Sequence, residues 1–149
     1  MRAQRGFTLI ELLVVFSIAA LLVGVVPFAF SRMQESAQYR DVLRAMLSDL
    51  RQARQQARVQ GREVRFRLDL PGRRFGLDGQ NARDIPEPLQ VRATVAGIEM
   101  SGNQVAAIRF MPEGGATGGS VDVFRPSGQG TRVRVDWLSG QISTEPIRP

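Results

Sequence analysis

An apolar run of 24 residues, from Phe7 to Phe30, constrains this chain more than any other feature of its sequence. Residues 6–11 read Gly-Phe-Thr-Leu-Ile-Glu, so a single acid, Glu11, lies inside the run. At the helical rise of about 1.5 Å per residue the run is roughly 36 Å long, enough to cross a hydrocarbon layer of about 30 Å. We therefore predict that residues 7–30 form a membrane-spanning helix.

The acid at position 11 is costly in such a helix. An ionised side chain at the centre of a membrane helix costs on the order of 3 kcal/mol, and a plain anchor would carry an apolar residue there. A buried carboxylate becomes tolerable when it meets a cation or hydrogen-bond donors. We therefore expect Glu11 to have a partner, the alternative being an incidental acid near the membrane edge.

The residues before the apolar run set its orientation. Residues 1–6 include Arg2 and Arg5 and no acid, so this basic head should stay on the cytoplasmic side. A cleaved secretory signal, a plain anchor and a prepilin leader could each begin in this way. The secretory signal fits poorly, because such a signal has an uninterrupted apolar centre, followed by a small-residue cleavage site.

The string from Gly6 to Glu11, with its basic leader and apolar helix, resembles the leader of type IV pilins and type II secretion pseudopilins. The resemblance implies that residues 1–6 are a leader peptide and that a prepilin peptidase cuts between Gly6 and Phe7. It also implies methylation of the new amino group of Phe7. Glu11 would then form a salt bridge with the terminal amine of a neighbouring subunit during assembly.

Composition excludes several kinds of site. The chain contains neither histidine nor cysteine, which removes Ser-His and Cys-His catalysis and zinc sites that need those ligands. We expect a non-enzymatic protein without catalytic residues, metal ligands or cofactors, although carboxylate chemistry stays open. About ninety residues follow the helix, enough for one small domain.

The apolar run continues into an amphipathic helical pattern over residues 31–61. Apolar residues recur at steps of three and four: Tyr39, Leu43, Leu47, Leu50, Ala53 and Ala57. The other face carries arginines, together with Asp41 and Asp49. Gly61 is a natural helix stop.

Beyond the helix, residues 62–149 alternate with a period of two, which predicts strands. The predicted strands are 64–70, 73–78, 89–95, 97–101, 107–111, 120–125, 131–138 and 141–143, with a loop over 79–88. Short strands separated by turn signals favour antiparallel sheets. The sequence thus predicts an α+β fold, in which a long N-terminal helix packs on a C-terminal domain of antiparallel β-sheets. The resemblance to pilins implies that this is a pilin-like fold.

A second resemblance lies in the C-terminal half. The segments 110–114 and 132–140, the glycines Gly118 and Gly119, and the strand Val121 to Phe124 are similar to the H-type minor pseudopilin domain shared with FimT- and FimU-like minor pilins. Residues 113–119 are rich in glycine but lack the order of a phosphate-binding loop. We expect a flexible surface loop there.

Together these resemblances imply a structural minor pseudopilin of a type II secretion system. Such a subunit is inserted once in the inner membrane, with its C-terminal domain in the periplasm, and is assembled near the tip of a periplasmic pseudopilus that drives export of folded proteins. Its implied partners are the prepilin peptidase, the major pseudopilin, other minor pseudopilins and, before assembly, inner-membrane lipid.

The alternative is a FimT- or FimU-like minor pilin of a type IV pilus, acting in DNA uptake, adhesion or motility. All 20 basic residues are arginine, against 14 acids, so the precursor carries a net charge of +6. Arg132 and Arg134 alternate on one predicted strand and, with Arg125, could contact the phosphates of nucleic acid. The other interpretation of these arginines is a solvated strand face.

Overall fold

The computed structural model describes residues 7–95, 100–101 and 104–148, with the backbone only for residues 23–33, 100 and 101. One long helix, α1, runs from Leu9 to Gln60. The chain divides into two compact units, Met1–Ser36 and Ala37–Pro149. Within the described residues, no helical stretch is both long enough and apolar enough to cross a membrane.

The second unit holds the last part of α1 and two antiparallel sheets. The strands are β1 Val64–Asp69, β2 Arg74–Leu77, β3 Arg83–Asp84, β4 Gln90–Val95, β5 Met100–Ser101, β6 Val105–Phe110, β7 Gly119–Phe124, β8 Gly130–Val135 and β9 Ile142–Ile147. Five of them form a sheet in the order β3-β2-β1-β6-β5, and four form a sheet in the order β4-β7-β8-β9. The predicted α+β class is confirmed.

The core of this unit lies between the amphipathic part of α1 and the sheets. Side chains of α1 with less than a tenth of their surface exposed follow the helical period: Tyr39, Val42, Met46, Leu50, Ala53 and Ala57. The predicted Leu43 and Leu47 are only partly buried. Four of the six predicted positions are therefore buried, and at the other two the buried residue is the preceding one, Val42 or Met46.

Asp49 contradicts the predicted charged face of the helix. It lies on the buried side of α1, where only 4% of its surface is exposed. Its carboxylate Oδ1 is 3.3 Å from a guanidinium nitrogen of Arg83, on β3. The helical pattern could not reveal this position, since the partner comes from a segment that the sequence predicts as loop.

The strand predictions differ most from the structure at three places. β3 lies within the predicted loop over 79–88, and β9 extends through Pro146 where a three-residue strand is predicted. Proline is tolerated in β9 because this strand is at the sheet edge. The strand predicted over 131–138 ends at Val135, because Asp136 begins a turn. Residues 97–99 of another predicted strand lie outside the described residues.

Candidate functional site

The start of α1 is closed by Thr8. The backbone N–H of Glu11 donates to Thr8 Oγ1 at 3.3 Å, and that of Leu12 donates to the carbonyl oxygen of Thr8 at 3.2 Å. A threonine in this place satisfies N–H groups that have no partner inside the helix. Glu11 consequently lies in the first helical turn, where the positive end of the helix dipole favours a carboxylate.

An apolar surface surrounds this first turn. Every side chain from Phe7 to Leu22 is exposed, including residues on all sides of the helix. The large apolar members are Phe7, Leu9, Ile10, Leu12, Leu13, Val14, Val15, Phe16, Ile18, Leu21 and Leu22, with exposed fractions of 49% to 82%. A surface of this size is normally covered by lipid or by another protein.

The predicted processing and assembly residues stand at this end. Gly6 lies outside the described residues, whereas Phe7 immediately precedes the capping Thr8 and is 78% exposed. Glu11 is also exposed and forms no ion pair with any described residue. Its carboxylate is therefore accessible to a partner, and the roles of these three residues stay predictions.

The three arginines predicted as possible nucleic-acid contacts do not share one environment. Arg125 lies over the ring of Tyr39, with its guanidinium carbon 4.3 Å from the ring centroid. Arg132 and Arg134 lie on the outer face of β8, where they alternate as predicted. The cation–π contact fixes Arg125 against the domain rather than leaving it extended.

Arg132 and Arg134 differ in the charges beside them. Arg132 Nε and one terminal nitrogen each donate a 2.8 Å hydrogen bond to the carboxylate of Asp122 on β7. On the other side Arg132 pairs in register with Glu145 of β9. The hydrogen bonds to Asp122, its negative charge and that of Glu145 raise the pKa of Arg132 above its usual range.

By contrast, the cross-strand neighbours of Arg134 are uncharged: Ser120 on β7 and Ser143 on β9. Arg134 is exposed and makes no hydrogen bond with any residue that the structure describes. Arg134 thus has no acid directly across the strands, although its positive charge acts on Asp136 and helps to lower the pKa of that carboxyl.

The turn between β8 and β9 contains features that sequence reasoning missed. Asp136 Oδ1 accepts hydrogen bonds from the backbone N–H groups of Leu138 and Ser139 and from the Ser139 hydroxyl. The bonds from Ser139 are the main cause that lowers the pKa of Asp136 below its usual range. The turn holds Trp137 and Leu138 outward, 67% and 70% exposed. The sequence signal for this turn is an aspartate followed by two apolar residues, then a serine and a glycine, over residues 136–140.

The glycine-rich loop is more constrained than the predicted flexible surface loop. Gly114 and Gly118 are buried, and Ala116 N–H donates to the carbonyl oxygen of Trp137 at 2.9 Å. Thr117 N–H likewise donates to the carbonyl oxygen of Arg109 at 2.9 Å. These bonds connect the loop to β6 and to the β8–β9 turn.

No cluster of acidic residues suited to holding a metal ion occurs within the described part of the chain. Two of the described carboxylates are paired with arginines: Asp122 with Arg132, and Asp84 with Arg74. The described residues form a capped apolar start of α1 and a β-domain with charged outer faces.

Comparison with known proteins connects both parts of the chain to one family. The family model described as type II transport protein GspH matches residues 43–140, and that of the prokaryotic N-terminal methylation motif matches residues 1–27. A type II secretion system protein H from Xanthomonas campestris pv. campestris is 32% identical over 147 residues. That alignment covers 99% of this chain and 86% of the relative.

Among solved structures, the minor pseudopilin EpsH from the type 2 secretion system of Vibrio cholerae has a similar fold. The TM-score is 0.57 at 15% sequence identity, covering 73% of this chain and 97% of EpsH. At this identity the likeness concerns the fold alone. The family model and the Xanthomonas relative, which both extend over most of the chain, place this protein in the type II transport protein GspH family.

Proposed function

We propose that this chain is a structural, non-enzymatic minor pseudopilin of a type II secretion system, assembled near the tip of a periplasmic pseudopilus. The observation that carries the proposal is the capped start of α1, where Glu11 stands exposed among apolar side chains. Family membership supports the same assignment. Its work would be assembly: the subunit is added to a filament whose growth pushes folded proteins outward.

The apolar side chains from Phe7 to Leu22 support two successive environments for this helix. Before assembly, residues 7–30 would hold the precursor in the inner membrane as a single span, with lipid as the partner. Within the filament, the helices of neighbouring subunits would replace the lipid. Both environments cover the apolar surface that the single chain leaves exposed.

Glu11 would select the register of assembly. In an apolar layer its carboxylate needs a positive partner, and the terminal amine of an adjacent subunit, near the end of the same kind of helix, supplies charge and hydrogen-bond donors. That amine becomes available only after a prepilin peptidase cuts between Gly6 and Phe7. Methylation of Phe7 leaves the amine positively charged.

The rest of the chain would form part of the outer surface of the filament and contact neighbouring subunits. Residues 31–61 continue the helix as its amphipathic part, and residues 62–149 form the periplasmic β-domain. Residues 1–6, the leader, would be absent from the mature subunit. Contacts with the major pseudopilin and other minor pseudopilins would then involve the exposed helix and the outer faces of the sheets.

Replacement of Glu11 tests this mechanism. We expect Glu11→Ala and Glu11→Gln to reach the inner membrane at normal levels but to be nearly absent from sheared, assembled pseudopili. Glu35→Ala is the matched control, because Glu35 is an acid of the same helix beyond the apolar run. Recovery of Glu11→Ala in pseudopili at the control level would refute the salt bridge.

A strain that lacks the gene for this chain distinguishes a role in a type II secretion system from a role in a type IV pilus. Loss of secreted proteins from the medium, with their accumulation in the periplasm and restoration by the wild-type gene, is the expected result. Intact secretion with lost DNA uptake or motility would contradict the pseudopilin assignment. That outcome would move the chain to a type IV pilus.

A further inference from the structure

A cleft of about 430 Å³ opens on the β-domain beside the β8–β9 turn. It lies between the outer face of β8, the end of β4 and the glycine-rich loop, far along the sequence from the assembly helix. The residues that matter for its chemistry are Gly118, Gly119, Arg132, Arg134, Asp136 and Trp137. The salt bridge proposed for Glu11 uses none of them.

One rim of the cleft is an exposed tryptophan. Among the described residues of the second unit, the large apolar side chains that are exposed are Val59, Trp137 and Leu138. Trp137 and Leu138 are adjacent, and the hydrogen bonds of Asp136 hold the turn that presents them. Tryptophan contributes strongly to protein interfaces, because it buries a large surface while losing little conformational freedom.

Two glycines of the glycine-rich loop line the cleft, so that part of its wall is backbone. Gly118 and Gly119 have φ angles of +74° and +141°, which residues with a Cβ rarely adopt. A Cβ at Gly118 would lie 2.9 Å from the Cβ of Trp137, and one at Gly119 would lie 2.8 Å from the carbonyl oxygen of Thr94. Both positions therefore require glycine, which leaves the space above the loop open.

The charge available to a ligand in the cleft is that of Arg134. The guanidinium of Arg132 is already paired with Asp122. The Asp136 carboxylate accepts hydrogen bonds from the N–H groups of its own turn, and the charge of Arg134 acts on it without a hydrogen bond between the two side chains. Arg134 lies between two serines across the strands. A planar guanidinium with free donors is suited to bidentate binding of one carboxylate.

We propose that this cleft docks an acidic peptide segment of another protein, with a carboxylate on Arg134 and a neighbouring apolar side chain against Trp137. The segment would pass over the backbone of Gly118 and Gly119. The inference concerns a face of the β-domain and does not depend on the role proposed for Glu11.

The same charges argue against a nucleic-acid strand as the occupant. Binding a phosphate backbone needs several uncompensated cations in a row. Here Asp122, Asp136 and Glu145 accompany the arginines of the face, and repulsion between these acids and phosphates would offset much of the attraction. A single carboxylate beside an apolar side chain needs only the one arginine and the one tryptophan.

The chain offers its own reporter, because Trp137 is its single tryptophan. We would follow Trp137 emission of the full chain in detergent micelles during titration with a capped hexapeptide that carries one Asp next to one Phe among Gly and Ser residues. The comparison probes are the same peptide with Asn in place of Asp, and a single-stranded oligothymidylate. A dilution series of the chain alone tests a second copy as occupant.

We expect the Asp peptide to shift the emission saturably, with an affinity that salt weakens. The Asn peptide and Arg134→Gln should each lower that affinity about tenfold, the loss of one charge-assisted contact. Arg65→Gln, an exposed strand arginine on the other sheet, is the matched control and should bind normally. Far-ultraviolet circular dichroism checks that both variants are folded.

Four results would overturn the proposal. They are equal binding of the Asp and Asn peptides, normal binding by Arg134→Gln, a response to the oligothymidylate alone, and the absence of any response to the Asp peptide. An emission change on dilution of the chain alone would assign the cleft to self-association instead. Because each readout is independent of filament assembly, a failure here leaves the Glu11 experiment unaffected.

Discussion

The hydroxyl of Tyr39, on α1, donates a 2.7 Å hydrogen bond to Thr131 Oγ1 on β8, although 92 residues separate the two in the sequence. Tyr39 is 5% exposed, so the bond is made at the edge of the core. The same ring supports the guanidinium of Arg125. The Tyr39 side chain thus connects α1 to β8 by a hydrogen bond, and to Arg125, the residue after β7, by a cation–π contact.

Replacing Tyr39 by phenylalanine should separate these two contributions. Tyr39→Phe keeps the ring under Arg125 but leaves the Thr131 hydroxyl without its donor, and we expect the free energy of unfolding to fall by about 1 kcal/mol. Chemical denaturation of the full chain in detergent measures the loss. Arg125→Gln removes the other contact and serves as the comparison; an undiminished stability of Tyr39→Phe would mean that water replaces the bond.

The arginine face makes a second prediction, on nucleic acid. Arg132 is paired with Asp122, and Arg125 lies on Tyr39, which leaves few cations for phosphates. We therefore expect any salt-dependent DNA binding of the full chain, which carries a net charge of +6, to be unchanged in an Arg132→Ala, Arg134→Ala variant. A measured affinity that falls steeply with salt and disappears in an Arg132→Ala, Arg134→Ala variant would contradict this and support the DNA-uptake alternative.

The glycine beneath Trp137 makes a third prediction. Gly118→Ala should cost roughly 1–3 kcal/mol for the positive φ alone, and more for the approach to Trp137 Cβ. Gly79→Ala is the matched control, because Gly79 has a φ of +81° but nothing within 4 Å of an added Cβ. The difference between the two losses measures the contact. Equal losses, with Trp137 emission unchanged, would show that the turn yields without cost.

Sequence reasoning succeeded where a pattern is local. The helix stop at Gly61 follows from its conformational freedom, and its φ is indeed +63° with α1 ending at Gln60. Alternation between apolar and charged residues located β1, whose buried and exposed side chains alternate from Val64 onward. The apolar run with its single acid indicated the pilin and pseudopilin class, and segments 110–114 and 132–140 indicated the H-type family to which the chain belongs.

What escaped prediction depends on contacts between distant segments. The pairing of Arg132 with Asp122 requires the register of β7 and β8, which no local pattern gives. The exposure of Trp137 requires the Asp136 turn, which a strand-like sequence conceals. Likewise, Arg73 donates hydrogen bonds to the carbonyl oxygens of Ile85, Pro86 and Leu89. These bonds hold a segment that lies mostly in the predicted loop over 79–88.

The buried carboxylate of Asp49 makes the fourth prediction, on pH. Burial raises the pKa of Asp49 above 3.8, and the positive charge of Arg83 offsets part of that rise. The folded chain therefore holds this proton more tightly than the unfolded chain does. The stabilisation from protonated Asp49 is complete below about pH 3.8 and is lost as the pH rises through the higher folded value.

Asp49→Asn should remove this dependence. We expect its unfolding free energy at pH 7 to be no lower than that of the unmodified chain, because desolvation outweighs the pair with the half-exposed Arg83. The unfolding free energy of this variant should also lack the fall above pH 3.8 that ionisation of Asp49 causes in the unmodified chain. Arg83→Ala, which leaves the ionised carboxylate buried without its cation, should lower stability at pH 7.

Denaturation at a series of pH values from 3 to 8 provides the measurement, with Asp84→Asn as control. Asp84 is an acid of the same short strand as Arg83, but its side chain is 77% exposed, so its replacement should change the profile little. A loss of stability at pH 7 in Asp49→Asn would reverse the argument. It would mean that the ion pair with Arg83, rather than the cost of burial, governs this position.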